Sequence, residues 1–442
     1  MGSYSEKQFL SMHFAEYGVI KKKALHKVGL VYPNVYKAGN SNLGFLFVYN
    51  LINEQENFQC ERFFTDFQRS VESRLKLGDC DIIAFSCSFE MDFFTVYEIA
   101  KRFPHKMKIM GGRTTYNPFP LKEVVDYFFV GDAEESLPEF LTLYEEGGDL
   151  SEVEGVFTGK KAKARHSPLE YHAVYQPIQW GEYEEAFTRA FLVEVSRGCS
   201  GRCRFCLVSH CLGKRRERSV DQIQDVLERA ERRTKFETVV LIGPGSHSRI
   251  LEIAEICSPF RVSLPSLRIE EISEQLLAEV KPKTVTIAPE TSEELRFSLG
   301  KPVTDEEILQ KAYLCSQYVR QMKLYFMVGL PGETVADLVK ISELVKSVSR
   351  IIRTKVTVSP FVPKVNTPYS GVLYDTASVE KALRFLKKRI RFSGPSAREG
   401  FIQWLLSVGD ERVGEYLGNR RYSLWKKLGN TKFEKKWKLI EI

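Results

Sequence analysis

Nowhere in this 442-residue chain does an apolar run approach the roughly 18 residues that a membrane-spanning helix needs, so a soluble protein is expected. Paired cysteines are missing too. The nine cysteines are an odd number, and Cys60, Cys80, Cys87, Cys211, Cys257 and Cys315 are scattered with no second cluster motif among them. No apolar signal segment occupies Met1 to Ile20. Together these absences argue against a disulfide scaffold and for buried thiols in a reducing, cytoplasmic compartment. A strong overall charge is also lacking, the net value being only +7. The distribution is uneven, however: Lys381 to Ile442 carry sixteen Lys and Arg against six Asp and Glu, so the basic character lies in the tail. With 43% hydrophobic residues the chain can bury two or three cores.

What is present is concentrated in eight residues, Cys199-Ser200-Gly201-Arg202-Cys203-Arg204-Phe205-Cys206. Three thiolates at this spacing suit three corners of an iron-sulfur cubane, which protein alone usually holds with four, and so leave one iron open to another ligand. A structural zinc site completed by His210 or Cys211 is the alternative, although zinc sites usually come as two short pairs across a long spacer.

Strand-length apolar runs at Lys27 to Tyr32, Asp81 to Phe85, Met107 to Met110 and Tyr127 to Val130 alternate with helix-period segments around Leu43 to Ile52, Phe93 to Arg102 and Glu134 to Tyr144. This alternation predicts an α/β, doubly wound Rossmann-like domain over residues 1–150. Periodicity fades in charged, Gly- and Pro-containing sequence over 151–185, which reads as a linker. A second series follows over 186–380, with strands at Phe191 to Val195, Thr238 to Ile242, Arg261 to Leu264, Thr284 to Ala288, Lys323 to Val328 and Lys355 to Ser359. Six such units predict a partial (β/α)6 TIM-type barrel, and the cysteines directly follow its first strand, at the end where barrels work. Residues 381–442 complete the chain as a small basic, aromatic-rich helical region.

C-x3-C-x2-C with Phe205 before the last cysteine resembles the signature of radical S-adenosylmethionine (SAM) enzymes. That resemblance implies a 4Fe-4S cluster on Cys199, Cys203 and Cys206, with the methionine end of SAM on the open iron. Its implied activity is reductive cleavage of SAM to a 5′-deoxyadenosyl radical, fed by an external flavodoxin- or ferredoxin-type electron donor. It further implies adenine contact for Phe205 and methionine contact for the backbone of Gly243-Pro244-Gly245-Ser246. This turn departs from the family's Gly-Gly-Glu-like pattern, and Pro244 removes one donor. Ser263 and Glu290, at the ends of the third and fourth strands, would meet the ribose and methionine groups. Arg268 suits the methionine carboxylate because a guanidinium can bind two oxygens at once. Turns at Gly329-Leu330-Pro331-Gly332-Glu333-Thr334 and Pro360-Phe361-Val362-Pro363 also look like family turns.

The first domain resembles the cobalamin-binding domain of a radical SAM subgroup at Gly111-Gly112 and at Val130-Gly131-Asp132-Ala133-Glu134-Glu135. Where relatives carry D-x-H-x-x-G, this chain reads Asn34-Val35-Tyr36-Lys37-Ala38-Gly39, with Tyr36 in the place of the cobalt-ligating histidine. Either cobalamin binds without a protein nitrogen below the metal or the domain has lost it. With cobalamin, methylation of an unactivated carbon is implied; without it, a radical rearrangement or C-C or C-S bond formation, sulfur insertion being weakened by the missing second cluster motif. A rival of another class is a non-catalytic iron-sulfur protein for electron transfer or RNA binding. In the tail, cations interleave with Phe385, Phe392, Trp404, Tyr416, Tyr422, Trp425, Phe433 and Trp437. Either they meet RNA or the rings pack inward and the cations form a solvated face.

Overall fold

A computed structural model describes residues 15–181 and 186–442. The chain falls into two compact units, the first comprising the described residues up to Glu194 with Asp221–Val239 and Val408–Ile442, the second Val195–Val220 and Val240–Ser407.

The first unit is built on a six-stranded sheet of β1 (His26–Val31), β2 (Phe58–Phe63), β3 (Ile82–Ser86), β4 (Met107–Gly111), β5 (Tyr127–Phe129) and β6 (Val156–Phe157). The order is β2-β1-β3-β4-β5-β6, parallel except for the antiparallel β6. A sheet covered on both faces needs continuous apolar runs, and β3 is buried at all five positions. Helices Leu43–Glu54, Phe93–Arg102 and Ser136–Glu146 connect the strands, the first capped by the Asn42 side chain accepting the Phe45 N–H. The doubly wound expectation therefore holds, with one strand unforeseen. β2 reads Phe-Gln-Cys-Glu-Arg-Phe, and its Arg62 is fully buried between Glu16, at 2.6 Å, and Glu72.

Two further stretches belong to this unit. Of the segment read as a linker, Val156–Phe157 joins the sheet, Ala162–Lys163 pairs in parallel with Ile440–Glu441, and Ala173, Val174 and Ile178 are buried; residues 182–185 lie outside the described ones. The end of the tail folds here as well. Asn117 Nδ2 donates to the Gly409 carbonyl at 2.9 Å, and the fully buried Trp425 packs edge-on against Phe94 with centroids 5.3 Å apart.

In the chain, β7 (Ala190–Glu194) leads into the second unit, where Val195 N–H donates to the Ile242 carbonyl at 2.8 Å. There β8 (Thr238–Ile242) neighbours β9 (Arg261–Ser263), while β10 (Thr284–Glu290), β11 (Gln321–Val328) and β12 (Thr354–Pro360) form a separate parallel ladder. The strands do not close into a ring among the described residues, as a partial barrel requires. Helices Asp305–Tyr318, Val335–Ile351 and Thr376–Lys387 cover one face of this ladder, burying Met322, Leu324, Phe326 and Val328 of β11. The period-2 alternation turns Lys323, Tyr325 and Met327 to the other face. Cross-strand pairing sets Lys323 beside Thr286, Tyr325 beside Thr357 and Met327 beside Ser359, and Tyr325 remains 40% exposed.

Candidate functional site

Between Val195 and the helix Leu207–Cys211 the chain makes the loop that carries the three cysteines. Its base is fixed by antiparallel pairing of Ser196–Arg197 with Arg216–Glu217, and its tip by a turn in which Cys206 N–H donates to the Cys203 carbonyl at 3.1 Å. Arg204 N–H reaches the Leu299 carbonyl at 2.9 Å, which anchors the loop to the segment after β10. All three thiols are partly exposed. Gly201 sits among them: a Cβ there would lie 3.3 Å from Cys199 Sγ and 4.0 Å from Cys203 Sγ. Yet no three His, Cys, Asp or Glu among the described residues converge on one point as a single metal ion needs. The Cys199 and Cys203 sulfurs share the neighbourhood of Gly201, and thiolates are the donors an iron-sulfur cluster takes.

The two candidates for a fourth protein ligand differ in exposure, His210 being half-buried and Cys211 buried. Cys211 is fully buried and its thiol is pushed up to about 12 by that burial. The His210 Nε2 lies 3.2 Å from the Cys203 carbonyl.

Two neighbouring loops close on the cysteines. After β9, Arg268 Nη2 donates to Cys199 Sγ at 3.0 Å, while its backbone N–H is accepted by Glu271 at 2.8 Å. The same Glu271 carboxylate accepts the Ser246 N–H at 3.0 Å and so ties the turn after β8 to Arg268. Gly245, at φ +115°, is the residue that this contact demands, since a Cβ would stand 2.8 Å from Glu271 Oε1. Gly243 packs against Ser196, and Ser263 is half-buried at the end of β9. After β10, a register shift puts Glu290 at φ +71°, a strained backbone for a glutamate. Lys301 Nζ donates to Glu290 Oε1 at 2.9 Å and to the Ala288 carbonyl at 2.5 Å. Burial raises the Cys203 thiol, and the Lys301 ammonium works against it. Phe205, on the other side of the loop, packs on Leu299, Leu330 and Phe361.

Sequence reasoning missed Glu271, Lys301, and the fully buried Arg296, whose guanidinium donates to the carbonyls of Pro289, Thr291 and Val303 and to Asp305. It also missed Tyr325, although strict alternation in Lys323-Leu324-Tyr325-Phe326-Met327-Val328 carries that signal.

This stretch coincides with a known family. "Radical SAM superfamily" describes the match to residues 193–345, and "Radical SAM proteins, N-terminal" the match to residues 44–154. A protein of Methanocaldococcus jannaschii is 30% identical over 420 residues, covering 89% of this chain and 91% of its own. The chain belongs to the radical SAM superfamily. It is also 22% identical over 303 residues to the ribosomal protein uS12 methylthiotransferase of Leptospira biflexa, covering 60% of this chain and 64%, less than two thirds, of that enzyme. Its fold resembles that of the radical SAM methyltransferase TsrM of Kitasatospora setae, solved with cobalamin and a 4Fe-4S cluster, at a TM-score of 0.58 and 16% identity over 78% of this chain and 74% of that one.

As a radical SAM enzyme the chain uses SAM and a 4Fe-4S cluster. No helix among the described residues is long and apolar enough to cross a membrane. The first unit has a switch point between β1 and β3, where doubly wound sheets take ligands. Asn34, after β1, donates to Asp92 beyond β3 at 2.9 Å across that point, and burial pushes the Asp92 carboxyl up to about 6. Gly111 ends β4. At Gly112 the backbone passes so close to Cys87 that a Cβ would lie 2.2 Å from its carbonyl oxygen. Tyr36 is 1% exposed, and its hydroxyl donates to Glu16 at 2.7 Å inside the Arg62 network. That side chain is therefore committed to the interior.

Proposed function

We propose that this protein is a cobalamin-assisted radical SAM methyltransferase acting on an unactivated carbon. The observation that carries the chemistry is the meeting of three partly exposed thiols, Arg268 and the Glu271-tied turn at Gly245 on adjoining loops of the partial barrel. Cys199, Cys203 and Cys206 would hold the 4Fe-4S cluster and SAM would take the fourth position, a reading supported by the burial of Cys211. Phe205, Gly243, Gly245, Ser263 and Glu290 would hold SAM. The cluster supplies the electron, received from a flavodoxin- or ferredoxin-type donor, that cleaves SAM. The chain's own work is to bind, orient and shield. Tyr325, Lys323 and Thr357 present a mixed polar and aromatic face on which substrate would rest.

In the first unit, the residues fit a corrinoid bound without a lower protein ligand. Gly112 packs its backbone against the Cys87 carbonyl beside the switch point, and Tyr36 would have to abandon Glu16 to reach a metal. A corrinoid there supplies a transferable methyl group. The likeness to TsrM in fold supports this reading. Methylthiolation, suggested by the Leptospira relative, is disfavoured by the buried state of Cys60, Cys80 and Cys87, which leaves the first unit without exposed thiols for a second cluster.

The test is anaerobic reconstitution with iron, sulfide and hydroxocobalamin, followed by desalting and reduction with SAM. The expected result is about four irons per chain, retained cobalamin without nitrogen superhyperfine splitting in the Co(II) resonance spectrum, and 5′-deoxyadenosine as product. Protein that holds iron but no cobalamin would refute the methyltransferase reading.

A further inference from the structure

We propose that Arg268 is a positioning residue of the cluster, donating to the Cys199 thiolate and raising the cluster's reduction potential, in place of the SAM-carboxylate contact expected from the sequence. The proposal rests on the assignment of Cys199, Cys203 and Cys206 as cluster ligands. Three facts carry it. The guanidinium Nη2 is 3.0 Å from Cys199 Sγ, within reach of an N–H···S bond, and a Cβ at Gly201 would fall 3.7 Å from the same nitrogen and 3.3 Å from the same sulfur, so the three groups are in direct contact. The arginine is held from behind, its backbone N–H being accepted by Glu271, which also fixes the turn at Ser246. Its nearest carboxylates do not bind the fork end directly: Glu270 stands 3.9 Å from Nη1, and Glu271 acts on the charge from the backbone side.

The other cation near the cysteines makes the contrast. Lys301 acts electrostatically on Cys203, yet its ammonium is paired with Glu290 at 2.9 Å and delivers little net charge. Of these two cations it is Arg268 that hydrogen-bonds a ligand sulfur, joining the Gly201 N–H, which donates to the same Cys199 Sγ at 3.3 Å. A cubane on three thiolates is net negative, and one-electron reduction adds a further negative charge, so a cation hydrogen-bonded to a ligand sulfur stabilises the reduced form more than the oxidised one. A lysine, a point charge without the planar fork, reproduces the charge but not the directed bond.

The experiment is an anaerobic dithionite titration of the reconstituted full chain without SAM, followed by electron paramagnetic resonance, for wild type, Arg268→Lys, Arg268→Gln and Arg268→Met, with SAM affinity measured separately. The expected result is a downward shift in midpoint potential, largest for Arg268→Met, with SAM affinity changed less than about threefold. An unchanged potential with SAM affinity reduced tenfold or more overturns the proposal and returns Arg268 to the carboxylate. Should Arg268→Met lose its iron, the glutamine and lysine variants decide: a potential equal to wild type in both overturns the proposal. Wild-type protein that holds no iron would instead refute the cysteine assignment, an outcome separate from these.

Discussion

Replacing Arg296 by methionine tests how the loop after β10 is held. The guanidinium is fully buried and donates to Pro289 at 2.7 Å, Thr291 at 2.8 Å, Val303 at 2.6 Å and Asp305 at 2.9 Å. A hydrogen bond from a charged group contributes about 1.5 to 3 kcal/mol, and removing the donor leaves buried carbonyls unsatisfied. The Asp305 partner is 31% exposed and can be rehydrated, so its share is discounted to the roughly 1 kcal/mol of a surface pair. Burying a methionine returns about 1.5 to 3 kcal/mol. Taken at the low end, the net loss is about 3 to 4 kcal/mol. Two of the lost bonds flank Glu290, whose strained φ of +71° persists only while its surroundings over-determine it. Urea unfolding followed by tryptophan fluorescence measures the first effect and SAM affinity the second. A loss below about 1 kcal/mol, with SAM binding intact, would refute the reasoning.

Cys203→Ala should abolish the brown chromophore and SAM cleavage, while Cys211→Ala leaves both and costs about 1 kcal/mol for the buried sulfur; iron analysis of the two variants separates them. Gly112→Ala should destabilise the first unit by at least about 2 kcal/mol, because the backbone there has φ +111° and no room for a methyl group beside Cys87; thermal unfolding reads it, and unchanged stability would contradict the geometry. Glu333 accepts the Gly329 N–H, and burial pushes its carboxyl up to about 7, so the native chain keeps a proton that the unfolded chain releases above its ordinary value of 4.5. Its stability contribution is complete below pH 4.5 and is lost as pH rises through 7. Glu333→Gln should remove that slope, roughly 3 kcal/mol across the window, and parallel urea-denaturation profiles for variant and wild type would contradict the assignment.

Most of the scaffold was legible because a doubly wound sheet and a partial barrel both need apolar strands, and β1, β3, β4, β8 and β11 supply them. β2 was hidden by its own solution to burial. Glu61 and Arg62 interrupt the apolar pattern, and Glu16, Asn40 and Glu72, none adjacent in sequence, make the arginine tolerable inside. The cysteine loop could be read from spacing alone, whereas its supports could not. Lys301 stands eleven residues from Glu290, and Glu271 reaches a turn twenty-five residues earlier. The contact of Arg268 with Cys199 Sγ, sixty-nine residues away, is equally invisible to spacing.

The tail shows why composition can indicate charge without indicating which rings are free. Cations and aromatics interleave along it, as an RNA surface would require, but stacking needs an open ring face. Trp404, Trp425 and Trp437 are no more than 5% exposed. Trp425 packs on Phe94, Trp404 stacks against Tyr374, and the last residues pair as a short strand with Ala162–Lys163. The cations Lys381, Arg384, Lys387, Lys388, Arg389 and Arg391 are exposed, while Phe385, Phe392, Tyr416, Tyr422 and Phe433 are half-buried. Contact with RNA through this segment would rest on phosphate neutralisation, which reads charge and carries no base preference.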